Sequence, residues 1–253
     1  MKISAVILTH NNERTIANCI LSIKHIVDEI IIVDDFSSDE TLNIVSACKK
    51  VRLFQRELSN DFASQRNFGI GHAANDWILH IDSDEYFSVG LQNEIAGLCL
   101  DKDINYLVKR KNMNFHGYTI EELNNRPLLA TKEKQFISEL HEYIVSERSQ
   151  FLKSFLVHDC WIDLEDFVED INTYSYRKAL TWHENGRKYR PHWLIFRQLI
   201  VAIYLFFVRY FLQGRFKFGP KAFLYCLYWS SEEILVGLKY IELEKAQCPE
   251  SEY

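Results

Sequence analysis

No acidic residue occurs between Glu184 and Glu232 in this 253-residue chain, although the same stretch holds Arg187, Lys188, Arg190, Arg197, Arg209, Arg215, Lys217 and Lys221. A solvated helix face ordinarily mixes both signs, so this stretch is expected to face something other than water. Those eight cations leave −14 on the rest of a chain whose formal net charge is −6. The acidic remainder argues against nucleic acid as a partner. C-x-x-C and other zinc-type spacings are also missing: Cys19, Cys48, Cys99, Cys160, Cys226 and Cys248 are scattered, the pattern of free thiols in a reducing compartment. Near the N-terminus the apolar run Ile3–Leu8 is too short for a signal-peptide core and meets polar His10-Asn11-Asn12-Glu13 at once. A cytoplasmic start is the expectation. The turn after that run, Thr9-His10-Asn11-Asn12-Glu13, contains no glycine, which argues against a Rossmann-type dehydrogenase or methyltransferase, whose phosphate cradle needs close backbone approach. Internal repeats and low-complexity tracts are absent.

The length fits one substantial domain with a short appendage, and 47% hydrophobic residues can fill a sizeable core. Up to about residue 110, short β-branched runs alternate with helical patterns, the signature of a mostly parallel sheet flanked by helices. The runs are Ile3–Leu8, Glu29–Val33, Val51–Phe54, Trp77–Ile81 and Tyr106–Val108. Ile16, Ile20, Ile23 and Val27 form one helical stripe, and Ser38 or Asp39 caps a shorter helix to about Ala47. Residues 111–160 show little periodicity. A helix resumes at Asp163, with Leu164, Phe167, Ile171 and Tyr174 on one face, and runs to about His183.

Parallel sheets bind ligands beyond the carboxyl ends of their strands. Polar residues collect there: Thr9, Asn11 and Glu13 after the first run, Asp34 and Asp35 after the second, and Asp82-Ser83-Asp84-Glu85 after the fourth. Two carboxylates flanking a small residue offer hard oxygen ligands to Mg²⁺ or Mn²⁺, which takes its other ligands from water and phosphates.

Four ordered segments carry a family resemblance: Ser4-Ala5-Val6-Ile7-Leu8-Thr9-His10-Asn11-Asn12-Glu13, Ile31-Ile32-Val33-Asp34-Asp35-Phe36-Ser37-Ser38-Asp39-Glu40-Thr41, Gln65-Arg66-Asn67-Phe68-Gly69 and Trp77-Ile78-Leu79-His80-Ile81-Asp82-Ser83-Asp84-Glu85. They resemble the family 2 glycosyltransferases, inverting enzymes with a nucleotide-sugar-binding GT-A fold. The resemblance implies that Thr9 and Asp35 contact the nucleoside, with Asn11 and Glu13 beside them. By the same resemblance Arg66 lies near base or phosphates, Asp82 bonds the ribose, and Asp84, with a late histidine such as His158, holds the metal. Asp34 reads as structural. Ser138-Glu139-Leu140-His141-Glu142-Tyr143 looks like the His-Glu segment of the lipopolysaccharide-core branch, where other members carry Glu-Asp. That likeness implies Glu142 as the base that takes the acceptor's proton, with Glu139 as alternate and His141 orienting Glu142 or binding acceptor.

Residues 189–229 interleave aromatic side chains with the cations above. Trp193–Leu212 is nominally long enough to span a bilayer, but Arg197, Gln198 and Arg209 interrupt it. Helices lying in the membrane interface fit better, with Arg and Lys tips on anionic lipid. The sequence therefore predicts a catalytic GT-A domain over 1–160 and a helical region over 161–253, whose membrane-associating segment spans about 187–230. The implied activity is transfer of a hexose from a nucleotide-diphospho-sugar such as UDP-glucose to a lipid-linked saccharide at the cytoplasmic face of the inner membrane. A non-catalytic nucleotide-sugar-binding or membrane-adaptor protein is the competing expectation.

Overall fold

The computed structural model describes residues 2–59, 61–114, 118–134, 136–137, 143–144 and 148–247. The chain divides into two compact units, Met1–Cys160 and Trp161–Tyr253.

In the first unit, β1 (Ile3–Thr9), α1 (Ile16–Ile23), β2 (Glu29–Asp34), α2 (Thr41–Ser46), β3 (Val51–Gln55), α3 (Phe62–His72) and β4 (Trp77–Asp82) alternate along the chain. The strands β3, β2, β1 and β4 lie side by side and parallel. Ile30, Ile31 and Ile32 are all fully buried, because helices cover both faces of the sheet, and this explains a continuous rather than alternating apolar run. On one face Ile3, Ala5 and Ile7 pack with Ile16, Cys19, Ile20 and Ile23 of α1. Val6, Ile31 and Val33 meet Ala63 and Ile70 of α3 on the other. Each fully buried aliphatic side chain contributes roughly 1.5–3 kcal/mol relative to exposure, so β1 and β2 anchor the unit. Val27 lies past the end of α1 but joins the same core.

The expected cap before α2 is displaced. Glu40 occupies the N-cap position without a side-chain bond, while the Asp39 carboxylate accepts the amides of Thr41 and Glu13, each at 3.0 Å.

Residues 111–160, aperiodic in sequence, supply long antiparallel strands. After β5 (Glu85–Phe87) and α4 (Val89–Ala96) come β6 (Asn105–Asn114), β7 (Tyr118–Thr131), β8 (Phe136–Ile137), β9 (Tyr143–Ile144) and β10 (Ser149–Trp161). The eight-stranded sheet runs β3-β2-β1-β4-β7-β6-β10-β5, with β7 antiparallel to β4 and to β6, and β5 antiparallel to β10. A separate ribbon pairs β8 with β9. Tyr106 pairs with Leu129 but Leu107 with Pro127, a bulge beside a residue that has no N–H to give a ladder. A second shift between Arg110 and Asn112 interrupts the period again, which is why this segment hides its strands.

The second unit holds α5 (Leu164–Glu184), α6 (Pro191–Phe207), a π-helical turn Val208–Leu212, a 3₁₀ turn Arg215–Phe218 and α7 (Pro220–Gln247). Asp163 and Asp166 form a reciprocal capping box at the start of α5. The predicted face needs correction: Leu164 and Tyr174 are exposed, and the buried row is Phe167, Ile171, Ser175 and Ala179. That row has i, i+4 spacing and carries small residues at its far end, where α7 packs against α5. Buried Gln198 of α6 donates to the Glu233 backbone carbonyl and carboxylate, each at 3.0 Å, and Lys178 of α5 reaches the same carboxylate at 2.5 Å.

Gly69 sits where α3 crosses β1 and β2, and a Cβ there would stand 2.6 Å from Val6 Cγ1 and 3.1 Å from Val33 Cγ2. Gly69→Ala is expected to destabilise the protein by about 1–3 kcal/mol through overpacking, despite its better helix propensity. A lower urea midpoint at unchanged slope is the expected reading, partly restored by adding Val6→Ala.

Candidate active site

The register of the parallel half brings the polar strand ends together: Thr9 lies opposite Asp34, and Leu8 opposite Asp82. Asn12, which the sequence reading passed over, joins them. Its Oδ1 accepts from Thr9 Oγ1 at 3.2 Å, the His10 amide at 3.2 Å and Ser83 Oγ at 2.6 Å, while its amide donates to Thr41 Oγ1 at 2.8 Å. Asn11 Oδ1 accepts the Ser38 amide at 2.8 Å, and Glu13 Oε2 the Glu40 amide at 2.9 Å. Asn11 and Glu13 thus tie the loop after β1 to the loop after β2. Buried Asp34 accepts from the Ser37 amide, the Ser37 hydroxyl and Gln55. Asp35 is partly open, with one oxygen on the Leu58 amide at 3.0 Å and the other 4.0 Å from His10 Nδ1. Asn11, Phe36 and Ser59, one in each loop after β1, β2 and β3, are the non-glycine residues with left-handed backbone among those described. Such conformations cost of order 1–3 kcal/mol each and gather at functional sites.

After β4 the acids meet arginines. Arg66 Nη2 lies 2.6 Å from Asp82 Oδ1, and Arg126 Nη1 lies 2.5 Å from Asp82 Oδ2 and 3.0 Å from Glu85 Oε1. Arg110 Nη1 approaches the same Glu85 oxygen at 3.4 Å. Burial pushes the Asp82 carboxyl up, but Arg126 and then Arg66 outweigh it and hold it far below the usual carboxylate range. Glu85, fully buried, is pushed up by burial and by Asp82 more than Arg126 pulls it down. The Cys19 thiol donates to the Asp82 carbonyl from beneath at 3.3 Å. His80 lies under the same cluster, edge-on to Phe136 at 4.8 Å. Burial, Arg66 and Arg126 push its imidazole well down.

Asp84 points at β10. Its Oδ2 is 3.1 Å from His158 Nε2, and its backbone carbonyl accepts the Asp159 amide at 2.9 Å. Asp84 Oδ1 is screened from solvent and has no hydrogen-bond partner among the described residues. His158 Nδ1 donates to Asn112 Oδ1 at 3.0 Å, which turns Nε2 toward Asp84. Burial pushes His158 down, but Asp84 overcomes it and raises the imidazole above its ordinary value. An orphaned carboxylate oxygen beside an aimed imidazole nitrogen fits a divalent cation completed by water and phosphate oxygens. No group of three or more metal-type ligands occurs among the described residues.

Arg126 and Asn112 were missed because they lie in the aperiodic segment, and Arg110 because it stands just before it, past the last apolar run, where an isolated arginine carries no pattern. Arg66, expected near the donor, is buried beneath Asp82. Glu142, Glu139 and His141 lie outside the described residues.

A sheet that is parallel on one side of its binding edge and antiparallel on the other, with acids gathered where the halves meet, is the GT-A architecture of sugar-transferring proteins. This chain belongs to glycosyltransferase family 2: the profile described as Glycosyl transferase family 2 matches residues 4–158. It is a glycosyltransferase. Similar proteins include an uncharacterized glycosyltransferase, RT0209, of Rickettsia typhi, 26% identical over 96% of this chain and 87% of its own. A second, from Rickettsia bellii, is 29% identical over 98% and 88%. The lipopolysaccharide core biosynthesis glycosyltransferase LpsC of Rhizobium meliloti is 28% identical over 98% of this chain and 92% of its own.

Arg126→Gln leaves buried Glu85 and Asp82 each short of a guanidinium, and about 3–5 kcal/mol of stability should be lost at pH 7. Because Asp82 is depressed in the folded state, its ionisation contributes stability that is complete above its unfolded value of about 3.9 and drains as pH falls below it. The variant should therefore lose less than the wild type between about pH 4 and pH 2.5. Glu85 acts with the opposite sign at higher pH, since its raised carboxyl makes the folded state the better proton binder. Urea midpoints across that range read the difference.

Proposed function

We propose that this glycosyltransferase is inverting and metal-dependent, and that it moves a hexose, as from UDP-glucose, to a lipid-linked saccharide at the cytoplasmic face of a membrane. The observation that carries the metal is the screened, unpartnered Oδ1 of Asp84 with His158 Nε2 beside its other oxygen. Asp84 and His158 would hold Mg²⁺ or Mn²⁺, which when bound neutralises charge on the departing diphosphate. The remaining roles belong to the chain itself. Thr9 and Asp35 meet the nucleoside; the Leu58 amide engages only one Asp35 oxygen, and the other lies 4.0 Å from His10 Nδ1. Asp82 keeps 27% of its side chain exposed, so a carboxylate fixed by two arginines still offers a lone pair to a ribose hydroxyl. Arg66 positions Asp82 rather than reaching the donor directly. Asn11 and Glu13 hold the nucleoside loops in register. Glu142, by family resemblance, takes the acceptor proton in a single displacement, with Glu139 as alternate.

Membrane attachment is supported by a helical stretch, Pro191–Leu212, that is long and apolar enough to cross a bilayer. Trp193, Phe196, Tyr204, Phe207 and Leu212 on it are exposed, while Arg197 and Arg209 favour an interfacial position over a span. The likeness to LpsC, which carries lipopolysaccharide core biosynthesis in its name, favours a lipid-borne saccharide as acceptor.

UDP-glucose with Mn²⁺ should raise the melting temperature of the wild type, and Asp84→Ala should abolish the Mn²⁺-dependent part while the unfolding transition stays cooperative. Transfer should fall by about 100-fold or more in Asp84→Ala and comparably in Glu142→Gln, with Glu139→Gln active. NMR of the product should show the anomeric configuration opposite to the donor's; a retained anomer sinks the single-displacement reading.

A further inference from the structure

Three successive residues near the start of α3 each grip a different element. Side chains of neighbouring helical residues point about 100° apart, so Gln65, Arg66 and Asn67 fan out from one turn. Gln65 Nε2 donates to the Arg56 carbonyl, just past β3, at 2.6 Å, and Arg66 Nη2 meets Asp82 at the end of β4, also at 2.6 Å. Asn67 turns to the β8–β9 ribbon. Its Oδ1 accepts the Phe136 amide at 3.0 Å, and its Nδ2 donates to the Phe136 carbonyl at 2.9 Å. The roles given to Thr9, Asp35, Asp82 and Asp84 make no use of this third grip.

A strand residue shows its N–H and its C=O to the same neighbour. Phe136 shows both to Asn67, whose amide carries an acceptor and a donor and so completes the strand edge as a peptide group would. The Phe136 ring is buried in the cluster of Ala63 and Ile70 of α3, Val6 of β1 and Ile78 of β4, with the Arg66 guanidinium 5.5 Å from its centroid. Apolar burial is non-directional, so it holds the ribbon down without fixing its heading. The two Asn67 bonds fix the heading. That matters because β8 and β9 pair Ile137 with Tyr143, and residues 138–142, which join the two strands outside the described part of the chain, include Glu139, His141 and Glu142.

We infer that Asn67 is a positioning residue: its two bonds to Phe136 set the heading of the β8–β9 ribbon on α3, and transfer depends on it although it touches neither the candidate donor contacts nor the candidate metal ligands. Arg66, its neighbour on the same helix, fixes Asp82 for the donor, so one turn of α3 sets both halves of the reaction. The link to transfer rests on the reading of Glu142 or Glu139 as the base; the grip on Phe136 does not.

The test compares the full chain with Asn67→Ala, Asn67→Asp and, as a control for plain loss of stability, Asp28→Ala, which removes the acceptor of the Ile3 amide at the opposite rim of the sheet. Deuterium exchange is followed on the peptides holding Phe136 and Ile144, and UDP release from UDP-glucose with Mn²⁺, water serving as acceptor, gives kcat and the donor KM. Exchange at Phe136 should rise in Asn67→Ala and not in Asp28→Ala. In Asn67→Ala kcat should fall about 10-fold or more while the donor KM changes by less than about twofold. Asn67→Asp has the same shape and keeps the acceptor for the Phe136 amide while losing the donor, so it should fall between Asn67→Ala and the wild type. Unchanged exchange at Phe136 overturns the inference. A kcat loss no larger than that of Asp28→Ala at equal loss of melting temperature overturns it too, as does a donor KM that rises in step with the fall in kcat. If the wild type neither releases UDP nor is stabilised by UDP-glucose with Mn²⁺, the donor reading fails on its own, and the exchange result then decides whether Asn67 sets the ribbon.

Discussion

Like charge crowded at the end of one strand is the condition that the rest of the first unit satisfies. Asp82, Asp84 and Glu85 follow the buried run of β4 within four residues, and Glu85 has no exposed surface. Alone they would repel one another and draw water into the core. The fold answers with cations from separate elements: Arg66 from α3, Arg126 from β7 and Arg110 from β6. Because β6 and β7 belong to the antiparallel half, that half is electrostatically bound to the parallel one. A strand end built to meet a charged ligand can stay folded without it.

The legible part of the sequence was the part whose physics is periodic or local. Both-face burial gives β1, β2 and β4 continuous β-branched runs, and the helix over them gives Ile16, Ile20 and Ile23 their spacing. The family segments likewise lie where chain order and spatial order agree. The return of β7 and β6 was hidden because bulges at Leu107 and between Arg110 and Asn112 break the two-residue period. Arg126 and Asn112 gain meaning only beside Glu85 and His158, residues far away in sequence. Arg66 was conspicuous, but its burial could not be read from its motif. In α5 the periodic signal was real and the face was misjudged, since small Ser175 and Ala179 mark the packed row better than exposed Leu164 and Tyr174.

The second unit follows a different rule. Its interior is held by polar anchors as well as by apolar packing: Gln198 and Lys178 converge on Glu233, and Lys239 reaches Ser175 and Asn172 of α5. A large share of its aromatic side chains instead faces outward on α6 and the turns that follow. Fixing a helical hairpin by directional bonds leaves its apolar surface available for an external phase, where an ordinary bundle would use that surface for its own core.

The three left-handed loop residues Asn11, Phe36 and Ser59 all sit at the carboxyl rim of the parallel strands. At the amino rim, Asp28 accepts the Ile3 amide, Glu29 holds Ser4 and the Ala74 amide, and Lys50 closes the carbonyls of Lys24 and Val27. Resilience and the candidate site therefore lie on opposite margins of one sheet. Evolution toward heat resistance would have wide freedom at the amino margin, whereas relaxing the carboxyl margin would harden the protein by eroding the preorganised loops of the candidate site. Variation among relatives living at different temperatures should be written mainly on the amino margin, away from the candidate site.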